Sequence, residues 1–222
     1  MKKVLLILFA SFFSFSNAMA EAQVSAGASL HVAVFAAEGK ERNYDYAGTL
    51  AKTTVEYGAF KESYASFFAE VGNGTIGIGL SYVPGEISTP TNESEQVQST
   101  NHTSTTEKVE ADFDSLMTLY AIARLPVGGL YIKAGVSKVD IDITETNSSA
   151  VYNDIDDVDG ITVGFGIERD VGGMAIRAEI MGHKFDDVSG NNGSAAGAAD
   201  ANVIDVTEMI GASASISLVK NF

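Results

Sequence analysis

The chain has 222 residues with 14 basic and 29 acidic side chains, a formal charge of −15, and neither cysteine nor tryptophan. An acid excess of this size argues against a nucleic-acid partner, and the lack of thiols removes disulfides and thiolate metal sites. Hydrophobic content is an ordinary 45%, but 22 glycines against 3 prolines is unusual, and no stretch beyond the opening segment approaches the roughly 18 consecutive apolar residues of a membrane-crossing helix.

The opening segment follows its own rule: Lys2 and Lys3, an apolar run from Val4 to Phe13, then Ala18, Met19 and Ala20. This is the pattern of a secretory signal peptide, too short in its apolar part to span a bilayer, so residues 1–20 are expected to be cleaved. Without Lys2 and Lys3 the balance becomes 12 basic against 29 acidic residues, or −17. No Pro-rich or charged linker divides residues 21–222, which are expected to form a single domain.

Strict two-residue alternation then recurs eight times along the chain, the period of strands with two unlike faces. The first strand sets Val24, Ala26, Ala28, Leu30, Val32 and Val34 against Ser25, Gly27, Ser29 and His31. The second sets Ala65, Phe67, Ala69 and Val71 against Ser66, Phe68 and Glu70, and the third Ile76, Ile78, Leu80 and Tyr82 against Gly77, Gly79 and Ser81. A fourth, from about Val109 to Leu125, carries Phe113, Met117, Leu119, Ala121 and Ala123 opposite Asp112, Asp114, Thr118, Tyr120 and Arg124. Its Leu116–Leu125 part has helical propensity, but the period of its charges selects a strand.

The fifth strand sets Leu130, Ile132, Ala134 and Val136 against Tyr131, Lys133, Gly135 and Ser137, after which Val139, Ile141 and Ile143 change parity, predicting a bulge or departure from the wall. The sixth pairs Ile161, Val163, Phe165 and Ile167 with Thr162, Gly164, Gly166 and Glu168. The seventh pairs Met174, Ile176, Ala178 and Ile180 with Arg177, Glu179, Met181 and His183, and the eighth Ile210, Ala212, Ala214, Ile216 and Leu218 with Gly211, Ser213, Ser215 and Ser217.

Connections alternate between tight and long. Gly72–Gly74, Pro126–Gly129 and Asp170–Gly173 suit hairpin turns. About Glu38 to Glu62, Pro84 to Lys108, Thr144 to Asp157 and Asp186 to Asn202 are expected to be long polar loops. All tight turns then fall on the end that carries both termini, as in a transmembrane barrel with short periplasmic turns and long extracellular loops.

Side-chain size orients the faces. Gly and Ser on the polar face are poor choices for a solvated strand, yet inside a narrow eight-stranded barrel they leave room for a few long charged side chains. The apolar face spans about five alternate positions per strand, near the 9–11 residues that cross a bilayer with tilt. The predicted fold is an all-β, closed, eight-stranded, antiparallel up-and-down transmembrane barrel, because an open edge would leave backbone groups unpaired in hydrocarbon. Phe67, Tyr82, Phe113, Phe165, Phe185 and Phe222 are expected as a sparse interfacial girdle.

With its export segment, eight alternating strands, short-then-long connections and the closing run from Ser213 to Phe222, the mature chain resembles the small outer-membrane barrel proteins of the OmpA, OmpX and OmpW kind. That resemblance implies residence in the bacterial outer membrane, a lipid environment, and a terminal strand whose Ile216, Leu218 and Phe222 are read by the barrel-assembly machinery. Lys220 departs from the pattern and is expected to snorkel to the interface.

Candidate chemistry lies in the lumen. Glu70, Arg124, Lys133, Glu168, Arg177 and Glu179 fall near the tight turns and balance in sign, with Arg177 expected diagonal to Glu168 across the hairpin and Lys133 on the strand beside Glu168, which suggests either a salt-bridged plug or a gate whose pairs exchange. His31 and His183 share the lumen face, while His102 lies in a loop; serines are plentiful but none sits in a nucleophile motif, so no catalytic residue is assigned. Asp154, Asp156, Asp157 and Asp159 lack EF-hand spacing and read as a solvated acidic loop. Asn-x-Ser/Thr triplets, as at Asn73 and Asn192, have no meaning on a bacterial export route.

The expected function is that of a non-enzymatic, monomeric, porin-like structural barrel with at most a narrow pore for water, ions or small solutes, and with no cofactor or metal. The alternative is a surface adhesion or recognition module working through its acidic loops. A lipid-modifying barrel enzyme is the third reading.

Overall fold

The computed structural model describes residues 22–89, 92–97, 104–146, 155–199 and 201–222, with side chains described outside 92–97, 104–111, 143–146 and 155–156. Residues 1–20, expected to be an export segment, and His102 and Asp154 lie outside the described residues. Eleven strands are formed among them: β1 (Gln23–Tyr44), β2 (Leu50–Gly72), β3 (Ile76–Tyr82), β4 (Ile87–Ser88), β5 (Asn92–Val97), β6 (Ser104–Arg124), β7 (Leu130–Thr146), β8 (Ile155–Val171), β9 (Met174–Phe185), β10 (Val188–Asn191) and β11 (Asn202–Asn221).

Neighbours run β1-β2-β3-β6-β7-β8-β9-β11, and β11 returns to β1 over a register from Ser25↔Asn221 to Asn43↔Asn202. The short strands β4 and β5 follow β6, and β10 follows β11, so they prolong the staves begun by β3 and β9. The result is the expected antiparallel barrel of eight staves, closed on itself. Leu116–Arg124 is strand, as the period of its charges required.

The turns at the closed end match their chemistry. Asn73 Oδ1 accepts the amides of Thr75 (2.9 Å) and Ile76 (2.8 Å), closing β2 onto β3. Gly128–Gly129 and Gly172–Gly173 both take positive φ, from 62° to 86°, the handedness that two-residue hairpins favour.

In the lower part of every stave the face that is apolar at alternate positions points outward, while a few apolar residues of the other face, Ile122, Ala175, Met181 and Val219, are buried inside. Leu30, Phe67, Val163, Phe165, Ile180 and Ile216 are all more than half exposed, whereas Ser29, Ser66, Thr162, Ser213 and Ser217 are buried in the interior. An exterior of this kind is stable only against hydrocarbon, because in water it would leave an apolar patch far beyond what a soluble monomer shows.

The lumen glycines have a packing role. A Cβ on Gly79 would meet the ring of Tyr120 at 2.5 Å, and one on Gly27 would meet Phe68 at 2.5 Å. Gly166 likewise lies under Tyr131, and Gly160 under Phe185. Small residues on one stave thus make room for a ring from the next.

Three expectations are corrected. The segment from Glu38 to Glu62 is not a loop: β1 and β2 stay paired, with β11 on the other side of β1, up to a turn at residues 45–49, pinned by Asp45 Oδ1, which accepts the amides of Ala47 (2.9 Å) and Thr49 (2.8 Å). The stretches around Pro84–Lys108, Thr144–Asp157 and Asp186–Asn202 are likewise shortened by β4, β5 and β10 and by the extended ends of β6, β7, β8 and β11. Polar side chains had marked these segments as loops, but a strand that rises into water needs no apolar outer face.

Second, β7 carries no bulge after Val136. Its parity is continuous, with Ser137, Val139 and Ile141 all facing inward. The bulges lie on its neighbours: Ser115 and Leu116 of β6 oppose one residue of β7, and Asp156 and Asp157 of β8 oppose Asp140. A third bulge places Glu208 and Met209 of β11 opposite Ala37 of β1. Third, Phe113 and Phe185 belong to no outer girdle, since both contribute to a cluster inside the barrel. The bulge at Ser115 inverts the parity of β6 and turns Phe113 inward.

Candidate functional site

Among the described residues, polar chemistry concentrates in the lumen, and it is layered. In the lowest layer all six ionic residues expected there are brought together. Arg177, 1% exposed, grips Glu70 through two parallel bonds, Nη1 to Oε1 and Nη2 to Oε2, each 2.6 Å, and its Nε bonds Glu168. Glu168 stands directly opposite Arg177 in the β8–β9 ladder rather than diagonal to it, while Glu70 reaches from β2 across the lumen. Bidentate guanidinium–carboxylate geometry is the strongest ionic contact available to side chains.

Glu70 also accepts the Tyr120 hydroxyl (2.8 Å) and Arg124 Nη2 (3.3 Å). Lys133 does not join Glu168; its Nζ bonds Glu179 (3.2 Å) and sits 3.9 Å above the Tyr120 ring. Glu179 takes a further bond from the Ser215 hydroxyl at 3.4 Å. Every one of the six ionic groups therefore has a partner of opposite charge, and the layer meets the condition under which buried ions are tolerated. A polar cavity of about 170 Å³ lies beneath it at the closed end, lined by Glu70, Arg124, Glu168, Asp170, Asn73 and Asn221 among others.

Sequence reasoning missed the aromatic members of this layer, Tyr120, Tyr131 and Phe68. Arg177 lies 5.2 Å from the Phe68 ring centroid and 5.6 Å from that of Tyr131. Their signal was present in the sequence: each is a ring at a lumen-facing position of a face rich in Gly, Ser and charge.

Above the ions lies a layer of hydroxyls and imidazoles. His31 Nε2 pairs with Ser66 Oγ (2.8 Å) and its ring stacks on Tyr64 at 4.6 Å; His183 bonds Ser213 Oγ (2.9 Å) through Nε2 and Thr162 Oγ1 (3.1 Å) through Nδ1. Ser29 and Ser217 pair at 2.8 Å, as do Thr118 and Ser137. These contacts pair hydroxyls and imidazoles with each other, leaving His31 Nδ1 buried without a partner among the described residues.

The third layer is apolar. Val83, Ile87, Leu116, Val139, Ile141, Val158, Phe185 and Met209 form one buried cluster, with Phe35, Phe60, Tyr64, Phe113 and Val206 packed on it. Each of the eight staves contributes, and Phe60 stacks on Phe113 across the interior at 6.0 Å. The floor of this layer is the level of the three bulges, at Ser115 (φ 55°), Asp157 (59°) and Glu208 (53°), the non-glycine residues with left-handed backbone among those described. At each, a nearby aspartate accepts the displaced amide: Asp114 for Ser115 (2.6 Å), Asp140 for Asp157 (2.8 Å) and Asp187 for Glu208 (3.2 Å). Asp157, expected in a solvated acidic loop, is thus part of a bulge, and its carboxylate binds Lys138 Nζ at 2.7 Å.

The terminal strand places Ile216, Leu218 and Phe222 on the outer surface, all at least half exposed. The Phe222 amide donates to Val24 O (2.9 Å), tying the last residue to the first stave. Lys220 Nζ reaches the Gly173 carbonyl at 3.1 Å, over the neighbouring turn.

Closed ladder, apolar exterior and packed polar lumen together define the class: a transmembrane β-barrel. No family model and no curated protein matches the chain. Among solved structures it is similar to Neisserial surface protein A (12% identity, TM-score 0.43, 87% of this chain and 97% of that one). It is similar also to the outer membrane protein OprG from Pseudomonas aeruginosa (10%, 0.48, 87% and 95%) and to Ail, the attachment invasion locus protein of Yersinia pestis (11%, 0.32, 84% and 98%). The class assignment stands on the chain's own ladder and exterior.

Proposed function

We propose that this protein is a non-conducting barrel of the bacterial outer membrane, of the small OmpA, OmpX and OmpW kind, whose work is done by the strands it holds above the lipid. Residues 1–20 direct export, and the outward row Ile216, Leu218 and Phe222 serves the barrel-assembly machinery. One observation carries the reading: an apolar cluster fed by all eight staves closes the lumen above a paired ionic layer. An ion would have to leave water twice, first among groups already neutralised and then in hydrocarbon-like packing.

Planar-bilayer recording of purified, heat-modifiable protein tests this. The native chain is expected to give no conductance steps, and Leu116→Ser with Ile141→Ser, which wets the cluster, is expected to give flickering ones. Steady conductance from the native chain would overturn the reading.

A further inference from the structure

The staves are of unequal height, and this leaves a backbone edge. β3 pairs with β2 only from Phe67↔Tyr82 to Gly72↔Gly77, and no other described strand pairs with that side of β2. From Leu50 to Ser66, therefore, β2 is bonded to β1 on one side and offers a ladder that no described strand takes up on the other. Proteins usually protect such an edge with proline, a bulge or a short strand. Here Lys52–Gly72 runs in unbroken register with β1, and Leu50–Ser66 contains no proline.

The upper part of this edge, Lys52-Thr53-Thr54-Val55-Glu56-Tyr57, is β-branched and aromatic with no net charge, the composition of a strand that adds to another strand. It is also self-complementary. Antiparallel pairing about a two-fold axis at Thr54 sets Lys52 opposite Glu56 twice and Thr53 opposite Val55 twice, all within the regular part of β2 that begins at Lys52. Thr54 would then face its own copy, and Thr54 Oγ1 is a buried hydroxyl with no hydrogen-bond partner among the described residues. Threonine pairs and opposite charges are both favourable cross-strand neighbours.

From this we infer that β2 binds β2 of a second copy of this chain, edge to edge and antiparallel, through Lys52–Glu56. The axis relating antiparallel strands is perpendicular to the sheet, so the second barrel is inverted relative to the first. The two copies stand in opposed membranes, and the contact is one of cell with cell, not of neighbours in one bilayer. The inference rests on the display role proposed above and names the partner displayed to.

Single barrels in nanodiscs, which leave both faces open, provide the test. Native discs are expected to pair in sedimentation velocity. Lys52→Glu and Glu56→Lys, each confirmed as folded by heat-modifiability, exchange two attractive contacts for two repulsive ones and are each expected to weaken self-pairing by about tenfold. Mixed together they should pair as the native discs do, because one variant then presents acids at both positions and the other presents bases at both. Because the chain has no cysteine, Thr54→Cys gives a lone thiol on the axis, expected to form a disulfide-linked dimer under mild oxidation where Ala59→Cys does not.

Native discs that remain single, a mixture that pairs no better than its parts, or equal cross-linking at both thiols would overturn the inference. Labelling of Tyr57→Cys on intact cells with a membrane-impermeant maleimide separates the two levels. Labelled cells with unpaired discs sink the pairing alone, and unlabelled cells sink the display role together with it.

Discussion

The lower and upper halves of the barrel solve opposite problems with the same eight staves. Below the bulges, Val163, Phe165 and Ile180 face outward while Arg177, Glu70 and Glu179 are buried. Above them, Val139, Ile141 and Val158 face inward, while Lys138 and Asp157 meet at the surface. One half is built for lipid outside, the other for water outside, and the chain changes rule partway along continuous strands. The inversion is achieved in two ways. On β7 the residue types exchange faces while the backbone parity is kept; on β6 and β11 an inserted residue reverses the parity itself.

The largest expected effect comes from breaking the lower half. Arg177→Met leaves the buried Glu70 and the half-buried Glu168 without their main counter-charge and should cost about 3–5 kcal/mol in urea unfolding from detergent micelles. The double change Arg177→Met with Glu70→Met should recover much of this, since the buried charge and its partner leave together. A double variant as unstable as the single would show that the pair does not act as a unit. In the upper half, where no charge is exposed by truncation, Leu116→Ala should cost about 2–4 kcal/mol through the cavity it leaves.

A third change bears on the packing that joins neighbouring staves. Gly79→Val should strain the lower half by about 1–3 kcal/mol, because the added carbons collide with the Tyr120 ring and so disturb the hydroxyl that Glu70 accepts. The Tyr120→Ala background should remove the clash with the ring and leave the one with Glu70 Cγ, 2.8 Å from the added carbon, so a penalty undiminished there would show that Tyr120 does not carry it.

The same division explains what was legible in the sequence. In the lower half two faces of unlike chemistry alternate without interruption, so Glu70, Arg124, Lys133, Glu168, Arg177 and Glu179 could be placed together from parity and from their distance to the tight turns. Pairing within the set could not. Arg177–Glu70 spans the lumen between staves that are far apart in sequence, and Lys133 chooses Glu179 over Glu168 because of where the stagger of the barrel puts them. In the upper half the polar outer face removed the alternation signal from Glu38–Glu62, and parity alone put the apolar residues Phe113, Val139 and Ile141 on a lipid face or off the wall. Their inward direction goes with bulges at Ser115, Asp157 and Glu208, none of them a glycine or otherwise marked in the sequence.

Those bulges give the smallest and most discriminating effect. An L-residue in the left-handed region costs about 1–2 kcal/mol, less for aspartate, which tolerates it. Glycine removes the strain but adds freedom to the unfolded chain. Glu208→Gly should therefore stabilise the barrel by about 0.5–1 kcal/mol, while Asp157→Gly should be neutral or worse, because it also deletes the carboxylate that holds Lys138. Asp187→Ala strips the Glu208 amide of its acceptor and should cost about 1 kcal/mol. If all three changes proved equal in sign, the bulges would be passive kinks. Opposite signs at Glu208 and Asp187 would show that the point where the barrel turns from lipid to water is held by the backbone and its aspartate acceptors, independently of the layers on either side.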